Sequence, residues 1–212
     1  VGAPLGGVIN IVSKKPEDRD FATLGLTYGT NGYVEPSFDI NRRLSDGVLF
    51  RMNGSYVRSD ADVDVIRNDR YSLSPSLSIG HGTDTRLTIE GYLSRWEGQD
   101  YQGLPAAGTV AGDFRLDRDL YLGDPDIPRS HTETRKLTLT LDHDFNDIWS
   151  NRTQLRYGKT EVEQITQITL SATPDAGPTS WNLFNSYVPG EQTEYSLNTA
   201  FQGRFDTGAR SE

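Results

Sequence analysis

Residues 71–80 read YSLSPSLSIG, and this stretch decides the fold because its side chains alternate strictly in character. The apolar residues Tyr71, Leu73, Pro75, Leu77 and Ile79 occupy every second position, and four serines lie between them. Successive side chains of a β-strand point to opposite faces. The period of two therefore predicts a strand with one apolar face and one face of small polar residues.

The same alternation extends in both directions along the chain. It recurs in ATLGLTYG (22–29), YVEPSFDIN (33–41), VLFRMNGSYV (48–57), RLTIEGYLSRW (86–96), KLTLTLDHDF (136–145), IWSNRTQLRYG (148–158) and EYSLNTAFQGRF (194–205). These runs predict an all-β antiparallel meander of about eight strands without a helix. Pro36 and Pro75 lie inside two of the strands. Because proline cannot donate a backbone hydrogen bond, we expect a bulge or a missing bond at each.

The connections between the predicted strands alternate in length. Short turns at 45–47, 81–85, 146–147 and 206–212 are separated by long stretches at 59–69, 99–132 and 159–193, and only the GTNG turn (29–32) breaks the rule. Short turns on one edge and long loops on the other are typical of a transmembrane β-barrel. Aromatic residues also gather near strand ends, as interfacial girdles do; they are Tyr28, Tyr33, Tyr56, Tyr71, Phe145 and Trp149. A soluble antiparallel sandwich explains the alternation alone equally well.

Composition excludes several classes of function. The net charge of -9 and the pI of about 4.8 argue against a nucleic-acid partner. The chain has no cysteine, which excludes thiol catalysis and thiolate metal sites. His81, His131 and His143 lack the spacing of metal ligands, and no catalytic triad or carboxylate pair stands out. The acidic run DADVD (60–64) begins like a calcium loop, but the Gly and Glu that such a loop requires are Val65 and Tyr71 here.

The first sixteen residues carry a much more specific pattern. GAPLGGVINIVSKKP (2–16) strongly resembles the last segment of the plug domain of TonB-dependent outer-membrane siderophore receptors, which precedes the first barrel strand. DGVLFRMNGSY, RYSLSPSLSIG, DTRLTIEGYLSRWEG, GLPAAGTV and GRFDTGARSE resemble barrel segments of the ferrichrome-type receptors. The resemblance covers nearly the whole chain.

The resemblance implies a fold, a location and a set of partners. Residues 1–18 correspond to the C-terminal end of the plug domain, and residues 19–212 to about the first eight strands of a 22-stranded barrel. The family imports ferric siderophores across the outer membrane of Gram-negative bacteria. It contacts outer-membrane lipid, draws energy from the TonB–ExbB–ExbD complex through an N-terminal plug segment, and is neither an enzyme nor a cofactor protein. The chain is accordingly expected to be a fragment of such a receptor.

The resemblance also implies ligand contacts. Tyr101 holds the position of a pocket aromatic three residues before the Leu104–Pro105 pair, and Trp96 is a second candidate. The aromatic that the family carries directly before this pair is Gly103 here. No protein ligand to iron is expected, because the chelate holds the metal. Two alternatives remain open: a receptor of the same superfamily for vitamin B12 or a saccharide, and a secreted β-sheet binding module.

Arginines on the polar face of the predicted strands have two interpretations. They either dock to plug carboxylates and carbonyls across the lumen or are solvated charges of the wall, and for each one individually the second interpretation is favoured. The four residues concerned are Arg51, Arg152, Arg156 and Arg204.

Overall fold

The computed structural model describes residues 12–169 and 180–205. In these ranges the chain forms nine strands and no helix. The strands are β1 (Phe21–Tyr28), β2 (Val34–Ser45), β3 (Val48–Asp60), β4 (Arg67–Ile79), β5 (Thr85–Gly98), β6 (Asp100–Tyr101), β7 (Ser130–Asp144), β8 (Trp149–Thr169) and β9 (Leu183–Gly203). The glycine-rich part of the plug-like motif, residues 2–11, and the predicted turn at 206–212 lie outside the described residues.

All nine strands belong to one sheet. The eight long strands pair antiparallel with their neighbours in the order β1-β2-β3-β4-β5-β7-β8-β9, which confirms the predicted meander of about eight strands. The two-residue strand β6 was not predicted. It follows the end of β5 and, beyond the first residue of β7, pairs parallel with β8 at Thr166 and Gln167.

No helix in the described ranges is long and apolar enough to cross a membrane.

The distribution of polarity is the reverse of that in a water-soluble domain. Among the described residues, Leu49 and Ala107 are the buried hydrophobic side chains, whereas Leu24 and Leu197 are 82% and 72% exposed. The buried set is polar instead: Asn41, Arg51, Ser76, Ser78, Thr88, Ser130, Thr140 and Thr166. We call the sheet surface with these residues the polar face, and the opposite surface, with its exposed leucines, the apolar face.

The register aligns each face across the strands. Leu139 of β7 lies opposite Ile89 and Leu155, and Leu155 lies opposite Leu197. Aromatic residues border this apolar stripe on both sides. Tyr56 and Tyr71 are cross-strand partners near the long loops, as are Tyr157 and Tyr195, whereas Phe145 and Trp149 lie at the short turns. The stripe therefore has the arrangement of an apolar band between two girdles.

The loops follow the predicted alternation, although all three long loops were predicted to be longer than they are. Turns of a few residues join the strands at 46–47, 80–84 and 145–148, and longer connections occupy 61–66, 102–129 and 170–182. Strand β8 continues to Thr169, and β9 begins at Leu183. Beyond Tyr157, β8 carries the charged residues Lys159 and Glu161 on the face that is apolar elsewhere, so the alternation of polar and apolar residues that reveals a strand disappears.

Both prolines interrupt a ladder, as predicted. Pro36 pairs with Leu26 of β1, but the pairing of β2 with β3 is absent between Val34 and Ser37. Pro75 pairs with Met52 of β3, whereas the pairing of β4 with β5 is absent between Leu73 and Ser76. Each proline thus costs hydrogen bonds on one side only.

Two glycines in the turn between β4 and β5 allow the backbone geometry of that turn to be tested. Gly80 and Gly82 both have a φ of +81°, but a Cβ on Gly80 would lie 2.1 Å from the carbonyl oxygen of Thr85 and one on Gly82 would meet nothing within 4 Å. We expect Gly80→Ala to lower the free energy of unfolding by about 2–3 kcal/mol and Gly82→Ala by about 1 kcal/mol. Denaturant unfolding of the refolded protein measures both. Equal losses would show that the close contact at Gly80 is absent.

Candidate functional site

Residues 12–20 cross the polar face of β2, β3 and β4, and Arg51 is the centre of their attachment. The guanidinium is 10% exposed. Its Nη1 donates to the carbonyl oxygen of Lys15 at 2.9 Å and to Oε1 of Glu17 at 2.7 Å, while Nε and Nη2 donate to the two carboxylate oxygens of Asp39 at 2.9 and 2.8 Å. Lys14 donates to the same carboxylate at 2.8 Å. A bidentate arginine–carboxylate pair of this kind fixes both position and direction.

Asn41 of β2 forms hydrogen bonds with the backbone of the same segment. Its side chain is fully buried, and its Oδ1 accepts from the amide of Glu17 at 2.9 Å. Its Nδ2 donates to the carbonyl oxygens of Glu17, at 2.7 Å, and of Arg19. A buried amide that lost these partners would keep the full cost of its desolvation. The contacts therefore set the register of residues 17–19 on the wall.

The arginines of the polar face divide into two kinds. For Arg51 the favoured expectation of a solvated wall charge is wrong, because its carboxylate and carbonyl partners exclude water from the guanidinium. Arg152 pairs with Asp142 at 2.7 Å and is 54% exposed, and Arg156 donates to Gln154 at 3.2 Å. These two remain charges of the wall. Arg204 is exposed, and its backbone amide donates to Ile148.

The attachment of residues 12–20 depends on an ionised Glu17. Hydrogen bonds from Arg19 and Arg51 hold the pKa of the Glu17 carboxyl below its ordinary value of 4.5, against the opposing effect of burial. Because the folded pKa is the lower one, the contribution to stability is complete above pH 4.5 and is lost as the pH falls through the folded value. We expect hydrogen exchange at the Glu17 amide, corrected for its intrinsic pH dependence, to accelerate below pH 4. Glu17→Gln should accelerate it already at pH 6, and an unchanged rate in that variant would contradict the role of the charge.

Trp96 lies on the polar face, at the end of β5 near the long loops. It is the cross-strand partner of Arg70 on one side and of Thr132 on the other. The indole is half-buried and lines a cavity of about 190 Å³ together with Asp100, Ser130, Thr132 and Gln164. The structure thus places this predicted ligand residue beside a polar hollow.

Tyr101 lies on the other side of the sheet from Trp96. It pairs with Gln167, whereas its neighbour Asp100 directs its carboxylate to Gln164 and Thr166 on the polar face. Its hydroxyl donates to the carbonyl oxygen of Leu120 at 3.0 Å. The two predicted ligand residues are therefore not brought together, and ligand contact by Tyr101 stays a prediction.

A second aromatic ring accompanies Tyr101, and sequence reasoning missed it. Tyr121 lies with its ring centroid 5.3 Å from that of Tyr101, at an interplanar angle of 41°. The amide of Asp124 donates to Gln167 at 2.6 Å, so the segment 120–124 is fastened to β8 as well. Burial raises the pKa of both phenols, and both are neutral at pH 7. Nothing in the sequence marks Tyr121, because it lies in a loop without periodicity.

This geometry predicts the effect of removing one hydroxyl. Tyr101→Phe loses the hydrogen bond to Leu120, and we expect it to lower the stability of the segment 120–124 by about 1 kcal/mol. Hydrogen exchange at the Asp124 amide should then be about fivefold faster. Tyr121→Phe is the matched control, since in the part of the chain that the structure describes its hydroxyl donates no hydrogen bond. Equal exchange in the two variants would show that the ring contact alone holds the segment.

The histidines and the acidic run lie apart from one another. His81 approaches Asp18 at 3.7 Å and His131 approaches Glu163 at 3.8 Å, while His143 contacts Phe145. In the acidic run, Asp62 accepts from Asn31. Across the described ranges, no group of three His, Asp or Glu side chains is placed to hold a metal ion.

No family model matches the chain, but comparison with known proteins finds relatives that are named as siderophore receptors. The chain is 29% identical over 212 residues to the ferrioxamine B receptor of Salmonella typhimurium strain SL1344, covering 96% of this chain and 29% of the relative. It is 28% identical over 194 residues to the catecholate siderophore receptor Fiu of Escherichia coli K12, covering 84% and 25%. The chain thus spans less than a third of the length of these relatives.

A solved structure shows the same fold. The closed form of the ferric-catecholate import receptor Fiu from Escherichia coli K12 superposes with a TM-score of 0.82, at 20% sequence identity, over 95% of this chain and 31% of the receptor. The match to this structure is one of fold. In sequence the chain is thus similar to siderophore receptors over nearly its whole length, and its fold matches that of one of them.

Proposed function

We propose that the chain is the part of an outer-membrane receptor in which the plug domain ends and the β-barrel begins, and that this receptor imports ferric siderophores. The single observation that carries the proposal is the reversed polarity of the sheet. Exposed leucines cover one face, and the other face buries serines, threonines and Arg51. An apolar face of this kind suits lipid, and a polar face suits a wet lumen. A secreted binding module would need both outer faces to be polar.

The proposal assigns residues 1–18 to the plug and residues 19–212 to the barrel. Its support is the attachment of residues 12–20 to the polar face through Arg51, Asp39 and Asn41. The plug of such a receptor lies inside the barrel, and its last residues must pass from the lumen to the first strand. The ion pair and the buried amide would anchor this passage while the rest of the plug moves.

The partners follow from the family. The cargo is a ferric siderophore, which several relatives are named for, and the apolar face contacts outer-membrane lipid. Energy would come from the TonB–ExbB–ExbD complex acting on an N-terminal segment of the plug. The receptor has no catalytic step and no resident cofactor in this proposal, because its task is binding and passage.

Trp96 is the proposed ligand contact of the polar face. Its half-buried indole offers a rigid apolar surface with one donor at the rim where the long loops begin. For Tyr101 we propose contact only through the segment 120–124 that it holds, because its ring points away from Trp96.

The test is uptake by the intact receptor gene in a Gram-negative host that lacks its own siderophore receptors. Cells that express the gene should accumulate iron-55 from at least one of a panel of ferric hydroxamates and catecholates, and a tonB deletion should abolish the accumulation. Uptake of vitamin B12 or a saccharide in place of every ferric chelate would establish the same superfamily with another cargo. Recovery of the intact protein from the culture medium would overturn the proposal.

A further inference from the structure

The cavity beside Trp96 contains a carboxylate that the proposed function does not use. Asp100 is half-buried, and its Oδ2 accepts hydrogen bonds from Gln164 and Thr166, while Oδ1 accepts from Gln102 at 3.4 Å. All three donors are neutral amides or hydroxyls. The carboxylate is therefore held in one orientation at the edge of the cavity without being neutralised.

In this respect Asp100 differs from the other carboxylates near it. Among the described residues, no side-chain nitrogen of Lys, Arg or His forms an ion pair with the Asp100 carboxylate within 4.0 Å, although His131 lines the same cavity. Nearby, Asp69 and Glu97 share Arg129, and Glu163 of the same cavity approaches His131. Arg70 is the neighbour of Trp96 on β4, but it does not line the cavity. The net charge of the residues that line the cavity is thus negative.

A carboxylate next to an indole is a recognised arrangement for a cation. The carboxylate supplies a charge-assisted hydrogen bond, and the face of the indole attracts a positive group through its quadrupole. A volume of about 190 Å³ is too small for a whole iron chelate but sufficient for an alkylammonium arm. Ser130 and Gln164 add polar atoms at the wall of the cavity.

We propose that Trp96 and Asp100 form a subsite for a positively charged group of the ligand, a primary ammonium on a ferric chelate. The inference rests on the proposed function, because it concerns the ligand that the receptor binds. It makes Asp100 a specificity-determining residue: the subsite favours chelates with a cationic arm over otherwise identical neutral chelates.

Two probes that differ only in this charge test the proposal. Ferrioxamine B carries one terminal ammonium, and acetylation of that amine removes the charge without altering the iron chelate. Binding of both probes to the purified full-length receptor is measured by titration, with a ferric catecholate as a third probe. We expect ferrioxamine B to bind at least about tenfold more tightly than its acetylated form, since a charge-assisted hydrogen bond contributes this much or more.

Variants distinguish loss of the subsite from loss of the fold. Asp100→Asn keeps the shape of the side chain and should reduce the preference to less than about twofold. Asp113→Asn, which changes an exposed loop carboxylate outside the cavity, should leave the preference unchanged. Trp96→Phe should weaken ferrioxamine B more than its acetylated form. Thermal unfolding of each variant controls for loss of structure, and a Trp96→Phe variant that unfolds leaves the Asp100→Asn comparison decisive.

Each outcome decides the matter. Equal affinity for the two probes, or a preference that persists in Asp100→Asn, would overturn the subsite. Binding of the ferric catecholate without binding of ferrioxamine B would overturn the subsite and leave the siderophore receptor intact. Failure to bind any of the three, together with failure of the uptake panel, would reject the proposed function itself.

Discussion

Arg51→Ala is expected to release residues 12–20 from the wall of the sheet. The substitution removes four hydrogen bonds and leaves Asp39, which is 13% exposed, with Lys14 as its cationic partner. Removal of one member of a buried ion pair costs about 3–5 kcal/mol, because the remaining charge stays desolvated. The loss should appear locally, as weaker attachment of the segment, before it appears as global unfolding.

Limited trypsin digestion measures this release. Arg19 and the bond after Lys14 are tryptic sites within the attached segment, and in Arg51→Ala we expect cleavage there at least a hundredfold faster than in the parent. Arg152→Ala is the matched control, since Arg152 pairs with Asp142 on the same face but is 54% exposed. An exposed pair contributes at most about 1 kcal/mol. Equal cleavage in the two variants would mean that Arg51 is only another wall charge.

The second large effect is expected on the apolar face. Leu155 is 47% exposed and lies between Leu139 and Leu197 in the apolar stripe. If this stripe contacts lipid, Leu155→Arg should lower the free energy of unfolding in bilayers by about 2–4 kcal/mol. If the stripe meets water, an exposed arginine would change the stability by less than about 0.5 kcal/mol.

Gln154→Arg is the matched control for this prediction. Gln154 directly precedes Leu155 in β8, and its side chain donates to Thr140 at 3.2 Å on the polar face. We expect the added arginine to be tolerated there, as Arg152 and Arg156 are two positions away on either side. Reversible unfolding from lipid vesicles by guanidinium measures both variants. Similar losses at positions 154 and 155 would contradict the assignment of the faces.

The strands could be predicted because their pattern is local. The alternation of Leu73, Leu77 and Ile79 with serines defines β4 without any tertiary contact. The prolines could be interpreted in the same way, since a missing donor interrupts a ladder wherever it lies. The polarity of the two faces was also readable. Alternation alone could not decide whether the apolar face packs against a second sheet or contacts lipid, because a sandwich and a barrel wall share the pattern.

The rest depends on contacts between distant residues. Arg51 lies 34 positions from Glu17, and no rule of spacing joins a strand arginine to a carboxylate in an irregular segment. The end of β8 beyond residue 159 was missed because Lys159 and Glu161 stand there on the face that is apolar elsewhere, so that the alternation is lost. The orientation of Tyr101 was missed because it depends on the two-residue strand β6, which pairs with β8 beyond the first residue of β7. The role proposed for Asp100 could not be predicted, because its neutral hydrogen-bond donors Gln164 and Thr166 are more than 60 residues away in the sequence and come together with it only in the fold.

The central claim is that one face of this sheet meets lipid and the other an aqueous lumen. The chain contains no cysteine, so single cysteines at positions 153–157 of β8 can carry spin labels without a background from this chain. In the full-length receptor in bilayers, collision with oxygen should peak at positions 153, 155 and 157, and collision with a water-soluble nickel chelate at positions 154 and 156. Access of the nickel chelate to both sets of positions would contradict the account.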